Sequence, residues 1–332
     1  MPRPTRYHVQ EAIDAFRSRY GDAALARLGD PHNNPSLSTG SLALDLALSG
    51  GYRREHLVEI SGPVGSGKTT LALMAAASVQ RTGNAAAIIG PVPPPDSGYA
   101  RRLGVDNSAL LVSQPPSGEA AMEIAQRLLK YCSVGLLVLD SLYALFSRDL
   151  PGLASTSPAN LGGRLMGTAM RDLSALAKRY HVYIIFLTPT FPEAIPLLDN
   201  GNKSLAFYSS QRLELQKIDP LISKDELSRV RVRVIKNALD SLPDPVELDI
   251  NHNVGVSQAS EILDLGLKLG LVTRSGPWFS YAGLNLGQGR DNTIEHLTLD
   301  RLLADRIQQD VIAKFHESTP KVETPLVLEN QG

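Results

Sequence analysis

Apolar residues recur along this chain with two different periods, and the changes between them mark out its elements. Val9, Ile13 and Phe16 fall at helical spacing among charged residues, which predicts a helix over residues 8–20. A polar linker, GDPHNNPSLSTGS, leads into the body of the chain. The run from Leu57 to Ile60 predicts a strand ended by Ser61, Gly62 and Pro63, and TTLALMAAASVQ after Lys68 is rich in helix formers. The alternation then repeats. Strands are predicted over 85–90, 109–113, 135–140 and 182–188, and helices over 117–132, with Ser117 as cap, and 160–180. The segments GLLVLD and VYIIFLT are apolar on both faces, as central parallel strands are. Strands separated by helices predict an α/β core, a mostly parallel sheet covered on both sides.

Past residue 204 the rhythm changes. Residues 205–218 and 229–236 read as strands with no long helix between them, an antiparallel extension. RVRVRVIK alternates strictly, so its valines face one way and its arginines, Arg229, Arg231 and Arg233, the other, most simply as an exposed strand face. Residues 257–316 read as a smaller α+β unit: a helix, an aromatic glycine-rich hairpin (GPWFSYAG) and a charged helical stretch. The expected organisation is a helical element over 1–33, a core over 34–256, a small domain over 257–316 and a polar, proline-broken tail over 317–332.

Composition adds mainly exclusions. With 33 basic and 34 acidic residues in 332, net charge does not point to a polyanionic partner. Cys132 is the sole cysteine, so neither an internal disulfide nor a cysteine-built zinc site is available, and it is expected to be a buried packing residue. The seven histidines are scattered, without metal-ligand spacing. MPRPTRYHVQ lacks the apolar segment of a secretory signal, and no run approaches the ~18 apolar residues of a membrane helix. A cytoplasmic protein without membrane contact is expected.

The chemistry is concentrated in Gly62-Pro63-Val64-Gly65-Ser66-Gly67-Lys68-Thr69, a G-x-x-x-x-G-K-[ST] loop with a strand before it and a helix after it. Glycines let backbone N–H groups turn onto phosphates, and the helix N-terminus adds its positive end. Lys68 supplies a point charge to the outer phosphates and Thr69 a hydroxyl for magnesium, with Ser66 and Thr70 as further nucleotide contacts. Asp140 closes the strand GLLVLD, where a carboxylate can hold the magnesium shell; alone, an Asp there could equally serve a cap or turn.

Beyond the loop, STGSLALDLALSGGY (38–52), YARRLGVD (99–106), LLVSQPPSGEAAMEI (110–124), LDSLYAL (139–145), LAFYSSQRLEL (205–215), RVIKN (233–237), EILDLGLKLGLV (261–272) and GPWFSYAGLNLGQGRDN (276–292) resemble bacterial RecA recombinases. The resemblance runs in one order from about residue 8 to 316. It implies a RecA-like P-loop core, ATP with Mg2+, and a filament on single-stranded DNA acting in homologous recombination, DNA repair and the SOS response to DNA damage. By position it places Asp96 and Tyr99 around the adenine, with a plain helix start as the alternative. Phe207 matches a subunit-interface aromatic, a core role being the alternative, and the 8–20 helix matches the segment that docks on a neighbouring subunit. Residues 148–163 and 190–204 correspond to the two DNA-facing loops.

This sequence departs from the family pattern at the chemistry. The resemblance implies a water-orienting glutamate where IIGPVPPPDSGYA places Val92, and a phosphate-sensing glutamine where Thr188-Pro189 stands. Valine cannot orient water, and losing a positioned base costs ~10²–10⁴ in rate. Proline offers neither a side-chain donor nor a backbone N–H. Of two lysines expected to reach a neighbour's ATP, Lys236 is present and Ala238 replaces the other. The first DNA loop has no Lys or Arg after Arg148, and the second sets Glu193 and Asp199 against Lys203. Basic groups dominate nucleic-acid affinity, so these loops predict weak binding, with Phe191 available either to stack or to pack. Arg164 and Arg171, two turns apart on one helix face, are DNA or interface candidates, or simply a solvated face.

The expected function is ATP-dependent single-stranded-DNA binding in recombination and repair, with hydrolysis weak or lost. The alternatives are a nucleotide-binding regulatory paralogue that co-assembles with a complete RecA, an active ATPase using Glu193 or Asp96 as base, and an unrelated P-loop kinase.

Overall fold

The computed structural model describes residues 6–20, 25, 35–90, 93–141, 159–190, 203–219, 227–238, 242–251 and 253–318. Val92, most of both DNA-loop segments (Phe191, Glu193 and Asp199 among them) and the tail lie outside these residues, as does the side chain of Arg164. The chain divides into two compact units, Met1–Pro35 and Ser36–Gly332. The first contains α1 (Arg6–Tyr20), which leaves Val9 and Phe16 exposed and holds Gln10 to Asp14 across one turn.

The second unit is built on a nine-stranded sheet. Its parallel part, from the edge inward, is β5 (Leu110–Ser113), β4 (Ala85–Ile89), β6 (Val134–Asp140), β7 (Tyr183–Pro189), β3 (Leu57–Gly62) and β8 (Ser209–Asp219). Beyond β8 the pairing becomes antiparallel through β9 (Leu227–Asn237), β10 (Val246–Asn251) and β11 (Gly255–Val256). A separate two-stranded ribbon joins β1 (Ser36–Leu37) to β2 (Tyr52–Arg53) around α2 (Leu42–Ala47). The α/β class and the parallel-then-antiparallel sheet agree with the sequence reading.

Both faces of the central strands are buried, which is why they read as unbroken apolar runs. One face packs on α3 (Lys68–Gln80), whose alanines let the helix lie close to the sheet. The other packs on α5 (Gly118–Tyr131) and α6 (Ala159–Tyr180), with α4 (Ser97–Arg102) preceding β5 in the chain. Ser117 caps α5 by accepting from the Ala120 N–H, and Ala121, Ala125 and Leu129 form its buried stripe. Cys132 corrects an expectation: it is exposed, because α5 ends at Tyr131 and Ser133 turns the chain away with φ +44°.

In β9 the alternation is as read: Val230, Val232 and Val234 enter the core, while the arginines take the opposite face. They are paired there, Arg229 and Arg231 with Glu247 and Arg233 with Glu214. Residues 203–208 are helical rather than the start of a strand, since Leu205 is needed in the core between α6 and the sheet. This turn leaves Phe207 77% exposed, so the core role is excluded.

A three-stranded sheet of β12 (Val272–Ser275), β13 (Trp278–Tyr281) and β14 (Leu284–Gln288) packs with α7 (Gln258–Lys268), α8 (Arg290–Leu299) and α9 (Arg301–Ser318) around a third apolar cluster. It is joined to the core by charge. Arg290 reaches Asp249 of β10 and Asp264 of α7, and Glu261 of α7 is 3% exposed beneath the N-terminus of α2. There its carboxylate accepts from the Ser41 hydroxyl and from the N–H groups of Leu42, at 3.1 Å, and Ala43, at 3.4 Å. An anion at a helix start is favourable, but burial dominates and, with Asp45 adding repulsion, raises the Glu261 carboxyl to about 7.

A carboxyl whose folded value exceeds its unfolded one stabilises the fold while protonated. That contribution is complete below the ordinary value of 4.5 and is lost as pH rises through about 7. The urea midpoint is therefore expected to fall between about pH 5 and about pH 8, and Glu261→Gln is expected to reduce that slope. An unchanged slope in the variant contradicts this account.

Candidate nucleotide-binding site

The carboxyl ends of β3, β4, β6 and β7 meet on one side of the sheet, the position at which open α/β sheets bind ligands. β3 ends at Gly62, and the chain passes through Gly65 (φ +72°) and Gly67 (φ +93°) before α3 begins. Both glycines are in the left-handed region that a side chain resists. Space imposes a second restriction: a Cβ on Gly67 would stand 2.5 Å from Ile250, and one on Gly62 would stand 2.8 Å from the Leu215 carbonyl.

Inside the loop the Ser66 hydroxyl is fully buried and has no hydrogen-bond partner among the described residues. Lys68 donates to the carbonyls of Gly62 and Pro63, each at 2.8 Å. Burial lowers its pKa while Asp140 opposes the shift; conversely, burial raises the Asp140 carboxyl while Lys68 holds it down. Each charge thus lacks solvent and leans on the other. The Asp140–Ser141 peptide is cis. Gly90, one residue past β4, packs so tightly that a Cβ would lie 1.7 Å from the Asp140 carbonyl oxygen. The sequence reading placed Gly90 only as a strand end; its requirement follows from the approach of β6, which no local pattern records.

Two clefts flank the loop and share Gly65, Lys68 and Thr69. The first, of about 340 Å³, is closed by Thr70, Asp96, Tyr99 and Arg102 on one side and by Ser228, Val230 and Ile250 on the other. Asp96 caps α4 by accepting from the Tyr99 N–H at 2.6 Å, so it is both a helix start and a wall of the cleft. The Tyr99 hydroxyl is 2.7 Å from that of Thr70, which ties α4 to α3. Arg102, Ser228, Val230 and Ile250 were not singled out from sequence, because strands far along the chain bring three of them here.

The second cleft, of about 440 Å³, lies between the loop, Asp140 and Ser141, the Pro93–Pro95 segment and Pro189. Pro189 pairs with Gly62 at the end of the β3–β7 ladder, and the next N–H, of Thr190, donates to the Gly62 carbonyl. Asp140 is the only carboxylate among the described residues lining this cleft.

The loop residues, Asp96, Tyr99 and Asp140 are thus brought together, and the other candidates are not. Lys203 opens the 203–208 turn, whose Ser204 packs 3.6 Å from the Cβ position of Gly167 on α6; Arg171, four residues further on, is exposed beside Asp172. Lys236 donates to the carbonyls of Ala206 and Phe207, and burial lowers its pKa with help from Arg212. Among the described residues no cluster of His, Cys, Asp and Glu could hold a metal by itself, and no helix is long and apolar enough to cross a membrane.

The fold and cleft coincide with the extent of two sequence families. The RecA N-terminal domain matches residues 7–257, and the RecA C-terminal domain matches 260–316. The chain belongs to the RecA family. It is 38% identical to Protein RecA of Acidothermus cellulolyticus over 331 residues, covering 96% of each chain. It is also 38% identical to Protein RecA of Chlorobium chlorochromatii, over 95% of this chain and 92% of the relative, and 39% identical to that of Geobacter sulfurreducens, over 86% and 88%. RecA membership identifies the architecture as the RecA-like α/β fold and the chain as a RecA-type recombinase by descent.

Gly90→Ala is expected to push β6 off β4 and displace Asp140, at a cost on the order of 4 kcal/mol in urea unfolding. It should also weaken Mg-nucleotide binding. A variant as stable as the wild type would contradict this packing.

Proposed function

We propose that this RecA-family chain binds ATP with Mg2+ and, in that state, single-stranded DNA, serving homologous recombination and DNA repair with ATP hydrolysis weak or lost. The observation that carries the proposal is the contrast between the two clefts. The phosphate loop has all its parts, whereas the neighbouring cleft is walled by Pro93, Pro94, Pro95, Pro189 and apolar side chains, with Asp140 as its described carboxylate.

The residues fit a magnesium–nucleotide. The buried, unpartnered Ser66 hydroxyl and the glycines that admit no Cβ form a cradle for phosphate oxygens. Lys68 exchanges its two carbonyl contacts for phosphate, which also gives its poorly solvated charge a counter-ion. Thr69 and Asp140 would hold Mg2+, which would neutralise phosphate charge. Asp96 and Tyr99 flank the base. Among the described residues lining the second cleft Asp140 is the sole carboxylate, and it would be engaged with the metal, while Val92 stands where the family resemblance implies a glutamate to orient the water.

The 1–33 element docks on a neighbouring subunit through the exposed Val9 and Phe16, with Phe207 as a second contact, giving a filament in the cytoplasm. Residues 34–256 act as the core, 257–316 as the C-terminal domain and 317–332 as a tail. Arg164, Arg171 and Lys203 are the proposed DNA contacts, and participation in the SOS response follows from the same filament.

A regulatory reading is favoured by Lys236, whose ammonium is bound to its own chain rather than free for a neighbour's nucleotide. In that reading the chain co-assembles with a complete RecA. Binding to labelled single-stranded DNA, measured with ATP, with ADP and without nucleotide across a salt series, separates the two. ATP-dependent binding that weakens with salt is the expected result. No binding at low salt would overturn the recombinase reading and leave the regulatory one.

A further inference from the structure

We infer that Arg102 is a specificity residue of the first cleft, reading the acceptor edge of a purine beside Asp96. This deepens the nucleotide reading above and rests on it.

The inference starts from a notch at Gly98. Extending Gly98 by a Cβ would place that atom 3.2 Å from Asp96 Oδ1 and 3.5 Å from Arg102 Nη1, so an acceptor and a donor converge on one point that carries no side chain. They do not neutralise each other, since no ion pair joins them among the described residues. Arg102 is instead held from behind. Its Nε donates to the Asn253 carbonyl at 3.0 Å, and its guanidinium carbon lies 5.7 Å from the Tyr99 ring centroid. No described residue hydrogen-bonds the Nη nitrogens, and Arg102 lines the same cleft as Asp96, Tyr99 and the phosphate loop. Asp96 is fixed too, by the Tyr99 N–H on Oδ1, and carboxylate oxygens accept more than one bond.

A carboxylate acceptor next to a guanidinium donor matches an edge that presents a donor next to an acceptor. The exocyclic amine and N7 of adenine are such an edge. Guanine presents two acceptors, O6 and N7, at the same edge, so a carboxylate beside a guanidinium favours adenine over guanine. Arginine suits the task because its planar fork loses little freedom once Nε is anchored. A guanidinium that only packed on Tyr99 would be indifferent to what stands at position 7 of the base.

The test is equilibrium binding of Mg-ATP and Mg-7-deaza-ATP, in which a C–H replaces N7, to the full chain by calorimetry. Wild type is expected to bind ATP on the order of tenfold more tightly than the 7-deaza analogue. Arg102→Ala is expected to lose about that factor for ATP, to keep its affinity for the analogue, and so to close the gap. Equal affinities in the wild type, a comparison that needs no variant, overturn the inference while leaving the nucleotide reading intact. A gap that persists in Arg102→Ala, with thermal unfolding unchanged, overturns it as well. If wild type binds neither compound, both readings fall together.

Discussion

At the carboxyl ends of the central strands, Gly62 of β3 is pressed against Leu215 of β8 and Gly90, just past β4, against Asp140 of β6, so closely that neither has room for a side chain. From that convergence the rest of the site follows. Gly62 offers its carbonyl both to Lys68 and to Thr190, so the first residue of the loop is also the clamp between two strands. Gly90 lets β4 pass against the Asp140 carbonyl, which fixes where the carboxylate nearest Lys68 among the described residues can stand. The same crowding strips solvent from Lys68 and Asp140, leaving opposite charges that need an outside partner to be comfortable.

Much of this was legible in the sequence for physical reasons. Strands buried on both faces must be apolar throughout, so β3, β6 and β7 declared themselves, and Ser117 announced the start of α5. The phosphate loop was legible because its chemistry is local: glycines, Lys68 and Thr69 lie within eight residues between a strand and a helix. What remained hidden depends on distant chain segments. Glu261 looks like an ordinary helix residue, yet it is buried beneath the start of α2, 218 residues away at Ala43. Ile250 and Val230 close the nucleotide cleft from strands that carry no phosphate-binding signature. Cys132 misled for the opposite reason: its neighbours suggested a buried helix end, but the helix stopped one residue earlier and left it in solvent.

The RecA architecture tolerates change at its reactive edge because different residues hold the fold and shape the chemistry. The sheet is sustained by Ile60, Leu139, Ile185 and their neighbours, all fully buried. The Pro93–Pro95 segment lies past the end of β4, and Pro189 is the last rung of the β3–β7 ladder, where the Thr190 N–H supplies the bond to the Gly62 carbonyl and the missing proline N–H leaves no gap. A lineage could therefore exchange the groups beside the phosphates while keeping the cradle that binds them. That separation is the physical basis of the proposal that this chain holds nucleotide with little turnover.

Phosphate release, followed with stoichiometric Mg-ATP and single-stranded DNA on a sample whose bound nucleotide is measured in parallel, tests the central claim most directly. The account predicts that the wild type holds ATP, that Lys68→Ala does not, and that release runs about 10²–10⁴ below that of a RecA carrying the glutamate. Release at the rate of that reference, abolished by Lys68→Ala, would contradict it.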